Sequence, residues 1–212
     1  MGLHLQAQEF DNDARLWLYV KLNKSLSNKL KAQLILQNRL DNNVSEYGQF
    51  NLNPELNYKL FKGFRLTGGY VVGKIRNLDA SYATRHQAYA GFSYKWKWKQ
   101  LALTYRNLVQ VQAKSVWSSD KGGVLRWYER NKLTLSYQLN RRLEAYLAQE
   151  FNSPFYRFSE MPINRFRSFV GASYKLSTKS EIEGYFMLQT KSSFKSRPDR
   201  DFVYGITYAY NF

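Results

Sequence analysis

Glutamate pairs are the residues of this sequence with the clearest capacity for acid–base chemistry. Glu181 and Glu183 are two residues apart, and Glu144 and Glu150 are six apart, within stretches of alternating polar and apolar residues. Side chains an even number of positions apart point to the same side of an extended strand. Two carboxyl groups on one face could act as a general acid and a general base. They could also belong to a polar interior in which every charge has a partner, and we favour this interpretation because unpaired buried charge is costly.

Arginines on the same polar faces would provide those partners. The charged residues that we expect to point to the interior are Arg39, Glu55, Arg65, Arg106, Arg130, Glu144, Glu150, Arg165, Arg167, Glu181 and Glu183. Together with inward lysines, the arginines would make an open interior favourable for anions. An interior filled by its own side chains fits the same pattern.

Other catalytic chemistry has little support in the sequence. There are two histidines; His4 lies in the first eight residues, and His86 has no Ser-His-Asp spacing around it. The absence of cysteine removes disulfides, thiolate metal sites and cysteine nucleophiles. The sequence also has no glycine-rich phosphate loop, no cluster of metal ligands and no recognisable nucleic-acid module. We therefore expect no catalytic residue, no metal site and no cofactor.

Alternation of apolar and polar residues indicates the elements that carry these side chains. The final stretch, residues 201–212, reads DFVYGITYAYNF, and its even-numbered residues form a continuous apolar face. These residues are Phe202, Tyr204, Ile206, Tyr208, Tyr210 and Phe212. Ten further segments from Ala14 onward repeat this period-2 pattern, and none shows a helical period. The sequence therefore predicts an all-β protein.

Three features favour a transmembrane antiparallel up-and-down β-barrel. The segments run to roughly 10–14 residues, which is longer than most globular strands and matches a bilayer crossing. Their connections alternate between short turns and longer polar loops, as in outer-membrane barrels. The apolar face is aliphatic in mid-strand and aromatic towards the ends, as at Phe64, Trp96 and Phe212.

The strand count is the open point of this prediction. Eleven segments is an odd number, whereas a barrel closed entirely by antiparallel pairs needs an even one. We predict about twelve strands, with a first strand in residues 3–11, and take ten as the fallback.

Length and composition are consistent with one domain. The 212 residues contain no run of 18 apolar residues, so a transmembrane helix is not expected, and the mean hydropathy of −0.56 still permits a barrel. We assign residues 9–212 to a single outer-membrane barrel domain. Residues 1–8, MGLHLQAQ, fit either the remnant of a signal peptide or a short first strand. The net charge of +16 suits anionic lipid headgroups as well as nucleic acid.

Three stretches resemble a known family: RLWLYVKLNKSLSNKL, LNYKLFKGFRLTGGY and RWYERNKLTLSYQLNRRLEAYLAQEF. The matching positions are Trp17, Tyr58 to Leu60, Gly68 to Tyr70, Arg126 to Arg130, and Glu150 with Phe151. The pattern is similar to the Bacteroidetes-type outer-membrane family catalogued as domain of unknown function 2490. The resemblance covers the chain from about residue 9. It implies an outer-membrane barrel, and it brings no activity or catalytic residues.

These observations lead to three functional hypotheses. The first is an integral protein of the bacterial outer membrane in a Gram-negative envelope, either a narrow, porin-like passage for small polar or anionic solutes or a structural protein. Its partners would be outer-membrane lipids, lipopolysaccharide and the barrel-assembly machinery, with Phe212 as the assembly signal. The second is a barrel enzyme that acts on lipid or envelope glycan through lumen carboxylates. The third is a soluble basic β-protein that binds nucleic acid. We favour the first, which involves neither enzymatic activity nor nucleic acid, and we leave the oligomeric state open.

Overall fold

Eleven strands make up the regular structure of the described residues. The computed structural model describes residues 11–77, 79–114, 125–154, 163–191 and 199–212. The strands are β1 (Asp11–Ser25), β2 (Leu30–Asp41), β3 (Glu46–Phe61), β4 (Phe64–Arg76), β5 (Tyr82–Trp98), β6 (Leu101–Lys114), β7 (Arg126–Gln138), β8 (Leu143–Pro154), β9 (Arg165–Lys175), β10 (Ser180–Lys191) and β11 (Asp199–Asn211). No helix in these residues is long and apolar enough to cross a membrane. The predictions for residues 1–8, and all but the last residue of the proposed strand 3–11, lie outside the described part.

The strands close into one barrel. Each strand pairs antiparallel with its neighbours in sequence, and β1 pairs with β11 in parallel. The predicted all-β barrel is confirmed, with one strand fewer in the described residues than the twelve expected. An odd number of alternating strands makes β1 and β11 run in the same direction, so their closure must be parallel. The prediction missed this solution because it assumed antiparallel pairing throughout.

The register gives the barrel a strong stagger. Tracing paired residues once around the wall from Ser25, near one end of β1, leads back to Asp11 at its other end. Such a stagger requires strands that are tilted against the barrel axis, by about 35–45° in closed barrels generally. The inner wall at any level is therefore formed by residues at different positions along their strands.

The parallel seam between β1 and β11 can be tested by crosslinking. Leu22 and Tyr210 are Cα partners across it, and the chain has no native cysteine. We expect the Leu22→Cys/Tyr210→Cys variant to form an intramolecular disulfide on oxidation, because paired Cα atoms lie within disulfide range. The measurement is a mobility shift of the heated, non-reduced protein on a denaturing gel.

The control for this experiment keeps one cysteine and moves the other. In Leu22→Cys/Ile206→Cys the second cysteine is four residues further along β11, about 13 Å away. This variant should not crosslink. If Leu22→Cys/Tyr210→Cys also failed to crosslink while folded, another strand would have to lie between β1 and β11.

The two ends of the barrel differ in their connections. At the short-turn end, the connections are residues 26–29, 62–63, 99–100, 139–142 and 176–179. At the long-loop end they are residues 42–45, 77–81, 115–125, 155–164 and 192–198, and the last three lie largely or wholly outside the described residues. Large aromatic side chains project outward near the short-turn end, where Trp96, Trp98 and Phe212 expose more than half of their surface.

One side of the barrel interior is packed with apolar side chains. Trp17, Met187 and Val203 form a buried cluster on β1, β10 and β11, and Tyr19, Phe169 and Tyr185 pack against it. The rest of the interior, called the lumen below, is lined mainly by polar side chains, with single apolar residues such as Val71 and Leu108 among them.

Gly205 on β11 makes room for one of these aromatic rings. A Cβ at this position would lie 1.9 Å from Tyr185 Cζ, far inside contact distance. We expect Gly205→Ala to destabilise the barrel by about 1–3 kcal/mol, because the packed tyrosine must leave its place. The measurement is denaturant unfolding of the refolded protein in lipid vesicles.

Gly184 supplies the matched control on the neighbouring strand. A Cβ there meets nothing within 4 Å. Gly184→Ala should therefore be neutral or slightly stabilising, since alanine restricts the unfolded chain. Equal losses in the two variants would mean that the ring of Tyr185 does not require a glycine at position 205.

The polar lumen as candidate functional site

A cavity of about 350 Å³ occupies the polar side of the lumen and receives side chains from all eleven strands. Eight basic and three acidic side chains line it. The basic residues are Lys21, Arg39, Arg85, Arg106, Arg130, Lys132, Arg165 and Arg167. The acidic residues are Glu55, Glu150 and Glu183. Alternation along each strand explains this lining, because every second residue must point inward. The cavity therefore carries a strong positive excess.

A smaller cavity of about 230 Å³ lies towards the short-turn end. It shares Lys132, Tyr146 and Glu183 with the larger cavity, so the two spaces meet at these residues. Glu144 and Glu181 also line it, which makes this smaller space acidic. The lining is thus basic in the larger cavity and acidic in the smaller one.

Glu150 is the charge centre of the larger cavity. Its carboxylate lies 3.3 Å from Arg106 Nη2, 2.9 Å from Arg130 Nη2 and 2.6 Å from Arg167 Nη1. The residue is only 1% exposed. Cross-strand pairing places Arg167 of β9 directly beside it, whereas Arg106 reaches it from β6 across β7. One carboxylate therefore neutralises part of the charge of three guanidinium groups, and the remainder stays positive.

Three further arginines lie closer to the long-loop end: Arg39, Arg85 and Arg165. Arg39 Nη1 donates to Gln49 Oε1 at 3.4 Å, and Arg85 donates to Gln87. Both partners are neutral, and none of the three arginines forms an ion pair with a carboxylate among the described residues. The Nε atom of each is buried without a hydrogen-bond partner in that part of the chain. This group of three, called the arginine triad below, therefore has no carboxylate partner among the described residues, and Arg39 Cζ lies 3.9 Å from the centre of the Trp17 ring.

The triad also lies in the field of the arginines around Glu150. The charges of Arg130 and Arg167 act repulsively on both Arg85 and Arg165. Like charges repel each other more strongly in a low-dielectric interior than in water. The larger cavity is therefore a region of concentrated positive charge.

The other two carboxylates of the larger cavity, Glu55 and Glu183, accept hydrogen bonds from tyrosine side chains. Tyr89 donates to Glu55 Oε2 at 2.6 Å, and Tyr146 donates to Glu183 Oε1 at 2.5 Å. Lys21 Nζ lies 3.8 Å from Glu183 Oε2. Tyr89 and Tyr146 share the inward face of their strands with Gln87 and Glu144, which lie two residues away.

A buried acidic group lies at the long-loop end of the seam. Asp201 is 1% exposed and pairs with Arg15 Nη2 at 3.2 Å and with Lys191 Nζ at 2.9 Å. Sequence reasoning did not select Asp201, Arg15 or Lys191, although each falls on the polar face of its strand. These ion pairs connect β1, β10 and β11 where the parallel closure begins.

The structure places the residues selected from the sequence in three groups. Those that line the larger cavity are Arg39, Glu55, Arg106, Arg130, Glu150, Arg165, Arg167 and Glu183. Glu144 and Glu181 line the smaller cavity, and Arg65 is exposed on the inward face of β4 near the short-turn end. Glu144 and Glu150 thus lie in different cavities and do not form the carboxylate pair that their shared face suggested. Lys21, Arg85 and Lys132 are the charged residues of the larger cavity that were not selected.

Comparisons with solved structures support the barrel fold. The chain is similar to the β domain of the Bordetella autotransporter BrkA, with 8% identity and a TM-score of 0.55 over 84% of this chain and 82% of that one. It also matches an anion-selective porin from Comamonas acidovorans, with 11% identity and a TM-score of 0.36 over 85% and 82%. At 8% identity, the likeness to the BrkA domain concerns the fold alone. The TM-score of 0.36 is too low for the porin match to support any conclusion about this chain. No curated protein matches the sequence.

The family model described as "Protein of unknown function (DUF2490)" matches residues 14–200, most of the chain. The match spans β1 to β10 and the first residues of β11, and so includes the strands that line both cavities. The chain therefore belongs to this family of proteins of unknown function.

Proposed function

We propose that this protein is an integral outer-membrane β-barrel whose lumen admits small anions from the long-loop end. The observation that carries the proposal is the arginine triad, which has no carboxylate partner among the described residues and lies in a cavity of about 350 Å³. A cavity of this size holds a small solute. Fixed positive charge in a low-dielectric passage favours anions over cations.

The outer wall supports the membrane placement. Its mid-strand positions carry exposed aliphatic residues such as Leu56, Leu135 and Leu147, and aromatic rings follow near the short-turn end. A band of aliphatic residues bordered by aromatic residues is typical of barrels embedded in the outer membrane. The long-loop end would face outward and the short-turn end would face the periplasm. We include outer-membrane lipids and lipopolysaccharide as partners in this proposal, with Phe212 as the residue read by the assembly machinery.

The junction between the two cavities would be the narrowest selective step. Lys132, Tyr146 and Glu183 line both spaces. Lys132 is the basic residue in the lining of the smaller cavity, which is otherwise acidic. Its positive charge would attract an anion that has to pass Glu144 and Glu181. This arrangement gives a slow, narrow passage for small anions and not a wide porin channel.

The lumen gives no support to the other two hypotheses. Glu150 is neutralised by three arginines, so its carboxylate is not available as a general base. The lumen arginines lie on the inner wall, where a nucleic acid strand could not reach them together.

The experiment that tests the proposal is electrical recording of the refolded protein in a planar bilayer. Discrete conductance steps with a reversal potential of anion-selective sign are the expected result. A folded protein that inserts and remains silent would mean that the lumen is closed, and a cation-selective potential would contradict the role of the arginine triad.

A further inference from the structure

A row of polar side chains crosses the outer wall at the middle of four neighbouring strands. Asn107 on β6 and Asn131 on β7 are Cα partners, and Gln149 on β8 and Ser168 on β9 are Cα partners. All four alternate with residues of the inner wall, such as Arg106, Arg130, Glu150 and Arg167, and therefore point outward. We call these four residues the outer polar row.

Apolar residues flank the outer polar row on the same wall. On its short-turn side lie Leu133, Leu147 and Val170, and on its long-loop side lie Trp127 and Phe166, all of them exposed. Glu129 also points outward, between Asn131 and Trp127 on β7, so the polar surface extends from the row towards the long-loop end at this strand.

At a similar level on the opposite wall the outward residues are apolar. They include Leu18 on β1, Leu36 on β2 and Ile206 on β11. The contrast confines the polar chemistry to one face of the barrel, formed by β6, β7, β8 and β9.

Hydrogen bonds join the two asparagines of the row and their neighbours. Asn107 Nδ2 donates to Asn131 Oδ1 at 2.8 Å and to Glu129 Oε1 at 2.6 Å. Tyr105 also donates to Asn131 Oδ1, at 2.6 Å. These bonds hold the two asparagine side chains in fixed orientations against the wall.

The other half of the row leaves a donor unused. Ser168 donates to Gln149 Oε1 at 2.9 Å, whereas Gln149 Nε2 has no acceptor among the described residues. A rotation of this amide would present the nitrogen to a neighbouring molecule. In hydrocarbon an unsatisfied amide group is costly, so a lipid tail is a poor neighbour for this face.

We propose that the outer polar row is the contact surface of a homodimer in the membrane. Asparagine and glutamine each carry a donor and an acceptor, so the same row can complement itself. Two copies inserted in the same direction present residues of equal depth to each other. A two-fold axis parallel to the barrel axis, between β7 and β8, would bring Asn131 against the partner's Gln149 and Asn107 against the partner's Ser168.

A second copy of the chain would therefore present its own outer polar row at the same depth in the membrane, with donors and acceptors that complement those of the first copy. Side-chain hydrogen bonds between membrane-embedded segments stabilise such contacts modestly, so the surrounding leucine and valine surface must pack as well. This inference rests on the membrane placement proposed above, and it does not depend on whether anions pass through the lumen.

Single-cysteine crosslinking in lipid vesicles tests the proposal, because the chain has no native cysteine. Gln149→Cys lies beside the proposed axis, and Leu36→Cys lies at similar depth on the opposite wall. At a low protein-to-lipid ratio, oxidation should give at least about tenfold more disulfide-linked dimer for Gln149→Cys than for Leu36→Cys. Equal yields at the two positions would overturn the proposal, because random collision does not distinguish faces.

A second variant separates loss of the contact from loss of folding. Asn107→Leu/Asn131→Leu/Gln149→Leu should remain folded, shown by heat-modifiable gel mobility, because leucine suits a lipid-facing wall. Single-molecule photobleaching should count two labels per spot for the unmodified protein and one for this variant. A folded unmodified protein that is monomeric would contradict the proposal. Failure of the protein to float with vesicles would instead overturn the membrane placement itself.

Discussion

Replacing Glu150 by glutamine is expected to destabilise the barrel by about 3–5 kcal/mol, the usual cost of breaking a buried ion pair. The substitution keeps the shape of the side chain and removes its charge. Arg106, Arg130 and Arg167 would then face each other across β6, β7, β8 and β9 without the carboxylate that now lies between them. Denaturant unfolding in lipid vesicles measures the loss, followed by tryptophan fluorescence, to which the buried Trp17 beneath Arg167 contributes.

Glu144→Gln is the matched control for this prediction. Glu144 lies on the same strand and the same inner face, is half-buried, and forms no ion pair with another described residue. We expect its removal to change the free energy of unfolding by less than about 0.5 kcal/mol, as for substitutions that break no specific interaction. If Glu150→Gln were as mild as Glu144→Gln, the arginines around Glu150 would not need its charge.

Replacing the arginine triad by glutamine is expected to lower the ratio of anion to cation permeability by a factor on the order of ten. Arg39, Arg85 and Arg165 are the arginines of the larger cavity without a carboxylate partner among the described residues, so glutamine removes positive charge there without leaving a carboxylate unpaired. The barrel should therefore fold as before, with unchanged heat-modifiable mobility. The reversal potential across a salt gradient measures the effect.

The control removes the same charge outside the lumen. Lys62, Lys99 and Arg141 are exposed in the connections of the short-turn end. Their replacement by glutamine should leave the permeability ratio within about twofold of its original value, because exposed charges are screened by salt within about 10 Å. An equal loss of selectivity in both triple variants would assign the preference to net charge and not to the triad.

The sequence was sufficient to predict the strands and their faces. Successive side chains of a strand point to opposite faces. The alternation of polar and apolar residues around Trp17, Tyr89 and Gln149 therefore predicts which side chains point into the lumen. The same rule could have identified Arg85, which lies two residues before Gln87 on the same face. The barrel class follows from strand length and from the alternation of short and long connections.

The parts that could not be predicted depend on register. Glu144 and Glu150 share a face, but six residues of strand separate them by about 20 Å, which places them in different cavities. Arg106 reaches Glu150 from two strands away, and the tilt of the whole barrel decides that contact. The parallel pairing of β1 with β11 is likewise a property of the closed sheet, since no local pattern in Leu22 or Tyr210 specifies the direction of a partner.

The reversal potential of the refolded protein in a planar bilayer under a tenfold potassium chloride gradient decides whether the lumen admits anions. We expect small discrete conductance steps and a reversal potential of the sign that chloride permeation produces, which moves towards zero when Arg39, Arg85 and Arg165 become glutamine. A reversal potential of the sign that potassium permeation produces, or an inserted and folded protein without conductance, would contradict a lumen that admits anions.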